Sequence, residues 1–231
     1  MPASLFGLVI ATLFFLGVHI IPSSALRAGI VRRIGEGAYL GLFSLVSAIG
    51  LGWMIYAYLK VPAMAPLWPV GSGLRWLQLV LMGIAFQFFI FGLTQPSPTL
   101  MGAEGVLKRE HPARGMTRIT RHPLFWSFAF WGVGHMLVNG DPASLVFFGG
   151  LTVLALAGMP LIDAKKAKAL GEDWTRFAAV TSALPFAAIL AGRTRLHLGE
   201  LGWWRPLAGL VLFVAVLHGH ILLFGVSPFP G

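Results

Sequence analysis

The sequence predicts an all-α integral membrane protein with six transmembrane helices, and three observations support this fold class. The chain of 231 residues has a mean hydropathy of +0.80. Only 11% of its residues are charged, whereas a soluble domain carries about a quarter. Apolar runs near the ~20 residues that cross a bilayer recur along the chain, and basic residues gather in alternate loops between them.

Six apolar stretches are predicted to span the membrane as helices, because a lone strand would leave its backbone polar groups unpaired in lipid. They comprise residues 5–21, 38–59, 74–93, 124–138, 144–162 and 207–224. The motif NGDP at 139–142 predicts a tight turn, so the fourth and fifth helices should be antiparallel neighbours. No repeat or long polar linker interrupts the chain, and a single transmembrane domain over 1–231 is expected.

The distribution of lysine and arginine predicts which loops face the cytoplasm. The loops after the first, third and fifth stretches contain 14 of the 17 lysines and arginines. Positively charged loops stay on the cytoplasmic side of a membrane. Both termini are therefore predicted to lie outside, in a multi-pass protein of the inner (cytoplasmic) membrane.

Residues 175–192 (TRFAAVTSALPFAAILAG) form a further apolar stretch that is nearly long enough to span. If it spanned, Arg193 and Arg195 would move to the outer side and break the alternation of basic loops. Pro185 also interrupts the stretch. We therefore predict an amphipathic or re-entrant segment on the cytoplasmic face.

The composition excludes several classes of site. With no cysteine, the chain has no disulfide, thiolate metal site or cysteine nucleophile. Its net charge of +9 comes from short loops between apolar runs, so we expect the lipid bilayer as a partner and no nucleic acid. Neither a Walker-type phosphate loop nor a dinucleotide-binding fingerprint occurs.

Histidines are the ionisable residues deep inside the predicted spans, and such residues in lipid mark functional sites by default. His19, His135, His218 and His220 lie within apolar stretches, whereas His122 precedes the fourth stretch. Several imidazoles in an otherwise apolar helix bundle favour a bound iron porphyrin, since imidazole is a common axial ligand. The alternative is that each imidazole only hydrogen-bonds a nearby carbonyl or hydroxyl group.

Helix geometry limits which histidines can share a site. His122 and His135 are thirteen residues apart, which is about 220° around a helix, so they cannot both face one pocket. His218 and His220 are two residues apart, about 200°, and they also point in different directions. A site with two histidine ligands must therefore take them from different helices.

Four separated motifs, spread over nearly the whole chain, resemble the NnrU family. They are GVHIIPSSALR (17–27), RITRHPLFWSFAFWGVGHMLVNGD (118–141), LPFAAILAGRTRL (184–196) and LHGHILLFGVSP (217–228). That family is associated with bacterial denitrification gene clusters and nitric oxide reductase, and it is similar to plant 15-cis-zeta-carotene isomerase, an integral membrane haem b enzyme. The resemblance implies a bacterial inner-membrane protein that carries haem b and is linked to nitric oxide metabolism.

The resemblance also implies site residues and an activity. His19 and His135 are the implied axial ligands of haem b, with His122 at the cytoplasmic mouth of the site. Trp126 and Trp131 lie between His122 and His135 in the sequence. They are candidates to stack on the cofactor, with packing between helices as the alternative. The implied activity is a redox-gated haem isomerase that acts on a membrane-soluble substrate or a gas such as nitric oxide. The implied partners are components of nitric oxide or nitrite reductase.

Depth in the membrane leaves the ligand pair open. With the N-terminus outside, His19 lies ~3 residues and His135 ~12 residues from the cytoplasmic side, so their depths differ by about 13 Å. By depth alone, His19 pairs with His122, and His135 pairs with His218 or His220. His19 and His135 remain the first choice because the motif matches are residue-specific.

A second resemblance points to a different class of enzyme. Arg121-His122-Pro123 before a helix, followed by Asp163 and GEDWTRF (171–177), resembles isoprenylcysteine and phospholipid methyltransferases. It implies S-adenosylmethionine bound by Arg121 and His122 at the cytoplasmic face. The bulky LFWSF after the proline, and an Asp-Ala pair in place of paired glutamates, depart from that pattern. A third interpretation is a non-catalytic assembly or sensing protein for nitric oxide or nitrite reductase.

Overall fold

The computed structural model describes residues 4–100 and 102–229, and within these ranges the regular secondary structure is helical, with no strand. The helices are α1 (Leu5–Ile20), α2 (Ala25–Ile34), α3 (Glu36–Lys60), α4 (Ser72–Thr94), α5 (Met116–Ile119), α6 (Pro123–Asn139), α7 (Pro142–Leu170), α8 (Glu172–Ala179), α9 (Ala187–Leu190) and α10 (Trp204–Phe224). Helices α1, α3, α4, α6, α7 and α10 are long, and the other four are short segments in the loops between them.

The long helices pack side by side in the order α3, α1, α7, α6, α4 and α10. Aromatic pairs lie in the interfaces, with Phe14 against Trp53 between α1 and α3 and Phe88 against Phe130 between α4 and α6. Many large apolar side chains point outward and are exposed on the surface of the protein. Such a surface indicates a lipid bilayer as the environment of these helices.

Long helices that follow one another along the chain run in opposite directions, so their connections collect at two ends. At one end, the indole of Trp68 in the α3–α4 loop donates to the carbonyl of Leu137 near the end of α6, at 3.0 Å. At the other end, the ammonium of Lys166 on α7 donates to the carbonyl of Leu100, at 3.4 Å. This second end, which we call the basic end, comprises segments 21–35, 95–100, 102–122 and 171–203.

The turn between α6 and α7 confirms the prediction from the NGDP motif. Gly140 has a φ of 67°, a left-handed conformation that glycine adopts at little cost. The carboxylate of Asp141 accepts a hydrogen bond from the amide of Ser144 at 2.9 Å, and Pro142 occupies the first turn of α7. Helices α6 and α7 are therefore antiparallel neighbours.

Helices α3, α4, α7 and α10 are long and apolar enough to cross a membrane, and they correspond to four of the six predicted spans. Helix α1 is apolar but has 16 residues, and α6 has 17. Helix α7 continues to Leu170, beyond the predicted end at 162, because Asp163 and Lys166 find partners in other segments. The chain is thus an all-helical membrane protein.

The stretch 175–192 does not form one continuous helix. Helix α8 ends at Ala179, a loop follows, and α9 is a single turn. Trp174 and Phe177 of α8 are buried, whereas Arg176 on its other face is exposed. Helix α8 is therefore amphipathic, but it covers only residues 175–179 of the predicted segment.

Gly92 and Gly83 on α4 offer a matched test of the close contact between α4 and α6. A Cβ atom on Gly92 would lie 2.8 Å from the amide nitrogen of Leu124, whereas one on Gly83 would meet nothing within 4 Å. We expect Gly92→Ala to lower the free energy of unfolding by about 1–3 kcal/mol, because the backbone must shift. Gly83→Ala should be neutral or slightly stabilising, since alanine favours the helix. The midpoints of thermal unfolding in detergent measure both effects, and equal midpoints would contradict this packing.

Candidate functional site

Asp163 on α7 binds two side chains that precede α6. Its carboxylate accepts hydrogen bonds from Nε of Arg121, at 2.9 Å to Oδ2, and from Nε2 of His122, at 2.8 Å to Oδ1. All three side chains are largely buried, and His122 is only 1% exposed. Because a buried charge is costly without a partner, this cluster fixes the start of α6 against the basic end of α7.

Arg121 is held by its backbone as well as by its side chain. Its amide donates to the carbonyl of Ser182 at 2.9 Å, and its own carbonyl accepts from the hydroxyls of Ser97 at 3.0 Å and Thr99 at 2.9 Å. Helix α6 begins with a proline directly after His122, and a proline disfavours helical geometry at the residue before it. This connection is therefore non-helical, and partners on three other segments set its position.

The loop between α8 and α9 crosses the same region. The hydroxyl of Thr120 and the indole N–H of Trp126 both donate to the carbonyl of Ala183, at 2.6 and 2.8 Å. The amide of Phe186 donates to the carbonyl of Ile119 at 2.8 Å. These bonds tie the loop to residues on both sides of the buried His122-Asp163 contact.

The second ring nitrogen of His122 is buried and has no hydrogen-bond partner among the described residues. An ionised carboxylate only accepts hydrogen bonds, so Nε2 donates in the bond to Asp163, and when the ring is neutral Nδ1 keeps a lone pair. Carboxylate–histidine pairs of this kind occur where the second nitrogen binds a metal or accepts a proton. His122 therefore has the chemistry of a base or a ligand at Nδ1.

His19 and His135 share a different arrangement within their helices. Nδ1 of each ring lies 2.8 Å from the carbonyl oxygen four residues earlier, that of Phe15 for His19 and that of Trp131 for His135. A carbonyl only accepts, so Nδ1 carries the proton and Nε2 keeps the lone pair. A neutral imidazole with a free Nε2 is the donor that haem iron takes from histidine, so this donor chemistry fits the cofactor.

The two imidazoles occupy different spaces between the helices. His19 lies between α1 and α3, with its ring centroid 4.3 Å from that of Phe15 and 5.5 Å from that of Phe43. His135 stacks on Phe148 of α7, with the ring centroids 4.8 Å apart. Each ring is half-buried among aromatic side chains.

The two histidines also lie at different levels along the helix axes. Helices α1 and α7 both run towards the basic end, and Thr12 on α1 contacts Gly150 on α7. His19 lies seven residues beyond Thr12, whereas His135 is level with Phe148, two residues before Gly150. At 1.5 Å per residue the two imidazoles are roughly 14 Å apart along the axes. The structure does not bring His19 and His135 together, and His19 is the one nearer the basic end.

Comparison with known proteins assigns the chain to a family. The family model described as NnrU protein matches residues 7–228. The chain belongs to the NnrU family. This match confirms the resemblance predicted from the four sequence motifs.

Two relatives of this NnrU protein are chloroplastic 15-cis-zeta-carotene isomerases. The protein from Arabidopsis thaliana is 34% identical over 116 residues, which cover 49% of this chain and 32% of that protein. The protein from Zea mays is 28% identical over 192 residues, which cover 82% of this chain and 52% of that protein. The chain thus spans about half the length, or less, of the curated relatives it matches. No solved structure gives a significant match to the chain.

The remaining predicted site residues lie away from the Asp163 cluster; they are His218, His220 and Trp131. His218 on α10 is exposed, and Nδ1 of His220 donates to the carbonyl of Val226 at 2.9 Å. The ring of Trp131 packs on Phe148, with centroids 5.0 Å apart. Within residues 4–100 and 102–229, no group of three or more histidine, aspartate or glutamate residues is arranged to hold a metal ion.

No sequence motif indicated the polar residues that hold Arg121 or those that anchor the segment before α10. Ser97 and Thr99 belong to PSPT (96–99), just after α4, and they bond a carbonyl more than twenty residues away. Proline and hydroxyl residues after a span indicated only a turn. Glu200 was also missed, although it is one of only eight acidic residues in the chain.

Glu200 joins the segment before α10 to the short helix α5. Its carboxylate accepts hydrogen bonds from Nε and Nη2 of Arg118, at 2.8 and 3.0 Å, and from the amide of Gly115 at 2.7 Å. The Arg118 guanidinium and the Gly115 amide lower the pKa of Glu200 to about 2. Glu200 is therefore ionised, and it neutralises the charge of Arg118.

The low pKa of Glu200 predicts an acid-sensitive contribution to stability. A carboxyl with a lower pKa in the folded than in the unfolded state stabilises the fold at neutral pH, and this effect is lost as the pH falls from 4.5 to about 2. Glu200→Gln should lower the free energy of unfolding by about 2–3 kcal/mol at pH 7 and by much less near pH 2. Thermal unfolding across this range measures the difference, with the exposed Glu110→Gln as control. A Glu200→Gln effect that is independent of pH would contradict the ion pair.

Proposed function

We propose that this NnrU protein binds haem b in a bacterial inner membrane and acts as an isomerase-like protein on an apolar or gaseous substrate. It crosses the membrane six times, with α1 and α6 as the two shorter spans and with both termini outside. The basic end faces the cytoplasm, in accord with the positive-inside rule. Its activity serves denitrification or nitric oxide metabolism, as the family resemblance implies.

The observation that carries this proposal is the similarity to the 15-cis-zeta-carotene isomerases, which covers 82% of the chain in the case of the Zea mays protein. The name of those relatives states that they isomerise a carotene, which is an apolar molecule. An apolar substrate dissolves in the bilayer and reaches a protein through its lipid-facing surface. The long apolar helices of this chain give such a substrate access to the space between them.

The residues of the chain would hold and orient the cofactor. In this proposal, Nε2 of His19 and Nε2 of His135 are the ligands, and the carbonyls of Phe15 and Trp131 orient the two rings. Binding one haem by both histidines requires α1 and α6 to shift, because the two rings lie roughly 14 Å apart along the helix axes in this structure. Bound haem supplies an iron whose oxidation state and ligand number can change. Phe148 covers one face of the His135 ring and excludes water from it.

The Asp163 cluster supports the haem-based function over methyl transfer. The methyltransferase resemblance requires the side chains of Arg121 and His122 to bind S-adenosylmethionine. Both side chains already donate hydrogen bonds to Asp163, so a cofactor carboxylate would have to replace this buried partner. We therefore assign the cluster a structural role at the cytoplasmic mouth of the site.

The topology of this proposal predicts the location of reporter fusions. Reporters inserted after Arg33, Arg114 and Lys168 should report the cytoplasm, because Arg33 and Arg114 belong to the basic end and Lys168 lies in the last turn of α7, directly before it. A reporter at the C-terminus should report the outer side, since α10 leads away from the basic end. Alkaline phosphatase and green fluorescent protein fusions measure these locations. A cytoplasmic C-terminus would contradict the six-span topology.

The ligand assignment predicts the effect of three histidine substitutions. His19→Ala and His135→Ala should each lower the haem-to-protein ratio or change low-spin bands to high-spin bands, because no thiolate exists in this chain to replace an imidazole. His122→Ala should leave the haem spectrum nearly unchanged. The exposed His111→Ala is the matched control for histidine loss.

The same spectra distinguish the proposed ligand pair, His19 and His135, from the alternative pair, His19 and His122. If His122→Ala removes the haem and His135→Ala does not, the site lies at the basic end, between His19 and His122. That result would contradict the residue-specific match to the family and would favour the pairing by depth. Helix content by circular dichroism confirms that each variant still folds.

A further inference from the structure

A cleft of about 620 Å³ opens at the basic end, between the segment after α4, helix α8 and the segment before α10. Its lining contains two acidic residues, Glu110 and Asp173. It also contains six basic residues: Lys108, Arg109, Arg118, Arg176, Arg193 and Arg195. The excess of positive charge favours a negatively charged ligand.

Three of these six basic side chains already bind other groups of the protein. Arg118 pairs with Glu200, and Arg176 pairs with Asp173. The guanidinium of Arg193 donates to the carbonyl of Ala179 at the end of α8 and to that of Thr181 in the following loop. These contacts form the walls of the cleft, and the two ion pairs neutralise the charges of Arg118 and Arg176.

The other three cations are available to a ligand. Lys108, Arg109 and Arg195 are exposed, and none of them forms an ion pair within the part of the chain that the structure describes. Lysine and arginine side chains are the usual protein ligands of phosphate groups. The cleft therefore presents a site for an anionic group of this kind.

Exposed apolar side chains lie close to this site in the sequence. The segment that contributes Arg195 also carries Leu190, Leu198 and Trp203, which are 84%, 72% and 81% exposed. Phe186 in this segment has a φ of 65°, a left-handed conformation that costs a non-glycine residue about 1–2 kcal/mol, and its side chain is also exposed. Large apolar and aromatic side chains next to basic residues are typical of segments that lie in the interface of a membrane.

We propose that this cleft binds the phosphate-bearing headgroup of an anionic phospholipid. Lys108, Arg109 and Arg195 bind the phosphate, while Leu190 and Leu198 contact the adjoining acyl region. Free phosphate shares the first set of contacts, but it gives the exposed leucines no partner. This inference goes beyond the proposed isomerase-like function and does not depend on haem, because lipid binding is measured whether or not the protein carries the cofactor.

The test uses the full chain, purified in detergent and titrated with dioctanoyl phosphatidylglycerol, dioctanoyl phosphatidylcholine or inorganic phosphate. Native mass spectrometry and the shift in unfolding midpoint give the affinities. We expect phosphatidylglycerol to bind about tenfold more tightly than phosphatidylcholine, and inorganic phosphate to bind more weakly than either. Lys108→Gln combined with Arg195→Gln should weaken phosphatidylglycerol binding about tenfold and leave phosphatidylcholine binding unchanged.

Arg32→Gln combined with Arg33→Gln is the matched control, because it removes the same charge at the same end of the protein but outside the cleft. An equal loss in this control would overturn the proposal, since binding would then reflect overall charge. Equal affinity for the two lipids would also overturn it, and so would inorganic phosphate that binds as tightly as phosphatidylglycerol. Arg195→Glu serves as a second variant if circular dichroism reveals that the double variant does not fold, and it too should weaken phosphatidylglycerol binding.

Discussion

The hydrogen bonds that Asp163 accepts from Arg121 and His122 are the interaction on which the basic end of the protein depends. Neither Arg121 nor His122 belongs to a helix, so no helical backbone bonds position them. Loss of one partner from such a buried group costs about 3–5 kcal/mol, because the other charge stays buried without compensation. The backbone of Arg121 also anchors Ser182, and through it the loop between α8 and α9. One carboxylate on α7 therefore orders the start of α6 and the loop that crosses it.

The histidines of this NnrU protein fall into two physical classes. His19 and His135 are oriented by a carbonyl in their own helix, so the helix alone fixes which ring nitrogen keeps the lone pair. His122 is oriented by a carboxylate on another helix, and its lone pair is on the opposite ring nitrogen. A ligand at Nε2 of His19 or His135 therefore does not compete with the hydrogen bonds that Asp163 accepts at the start of α6.

The apolar part of the fold follows from the sequence because hydropathy is a local property. The spans on α3, α4 and α10 match their predicted ranges closely, and the turn at Gly140 follows from a glycine at the position that needs a left-handed conformation. The end of α7 was not predictable in this way. The apolar stretch ends before Asp163, where charged residues begin. The helix continues because the Asp163 carboxylate and Lys166 form ion pairs with residues far along the chain.

The site was predictable only in part, because its contacts also join residues that are far apart in the sequence. The motif around Arg121 and His122 indicated this stretch, and the methyltransferase resemblance included Asp163. The hydroxyl groups that hold Arg121 come from Ser97 and Thr99, and no local pattern connects them to it. The aromatic side chains that pack on the His19 and His135 rings from other helices are Phe43 of α3 and Phe148 of α7, and a helical repeat does not specify them.

The visible absorption spectrum of the full-length protein tests most directly the claim that this NnrU protein holds haem b between its helices. The protein is purified in detergent from cells with sufficient haem, and the spectrum is recorded in the oxidised and the reduced state. We predict about one haem b per chain, with the sharp, split visible bands of low-spin, histidine-ligated iron on reduction. A folded protein that is colourless in both states would contradict it.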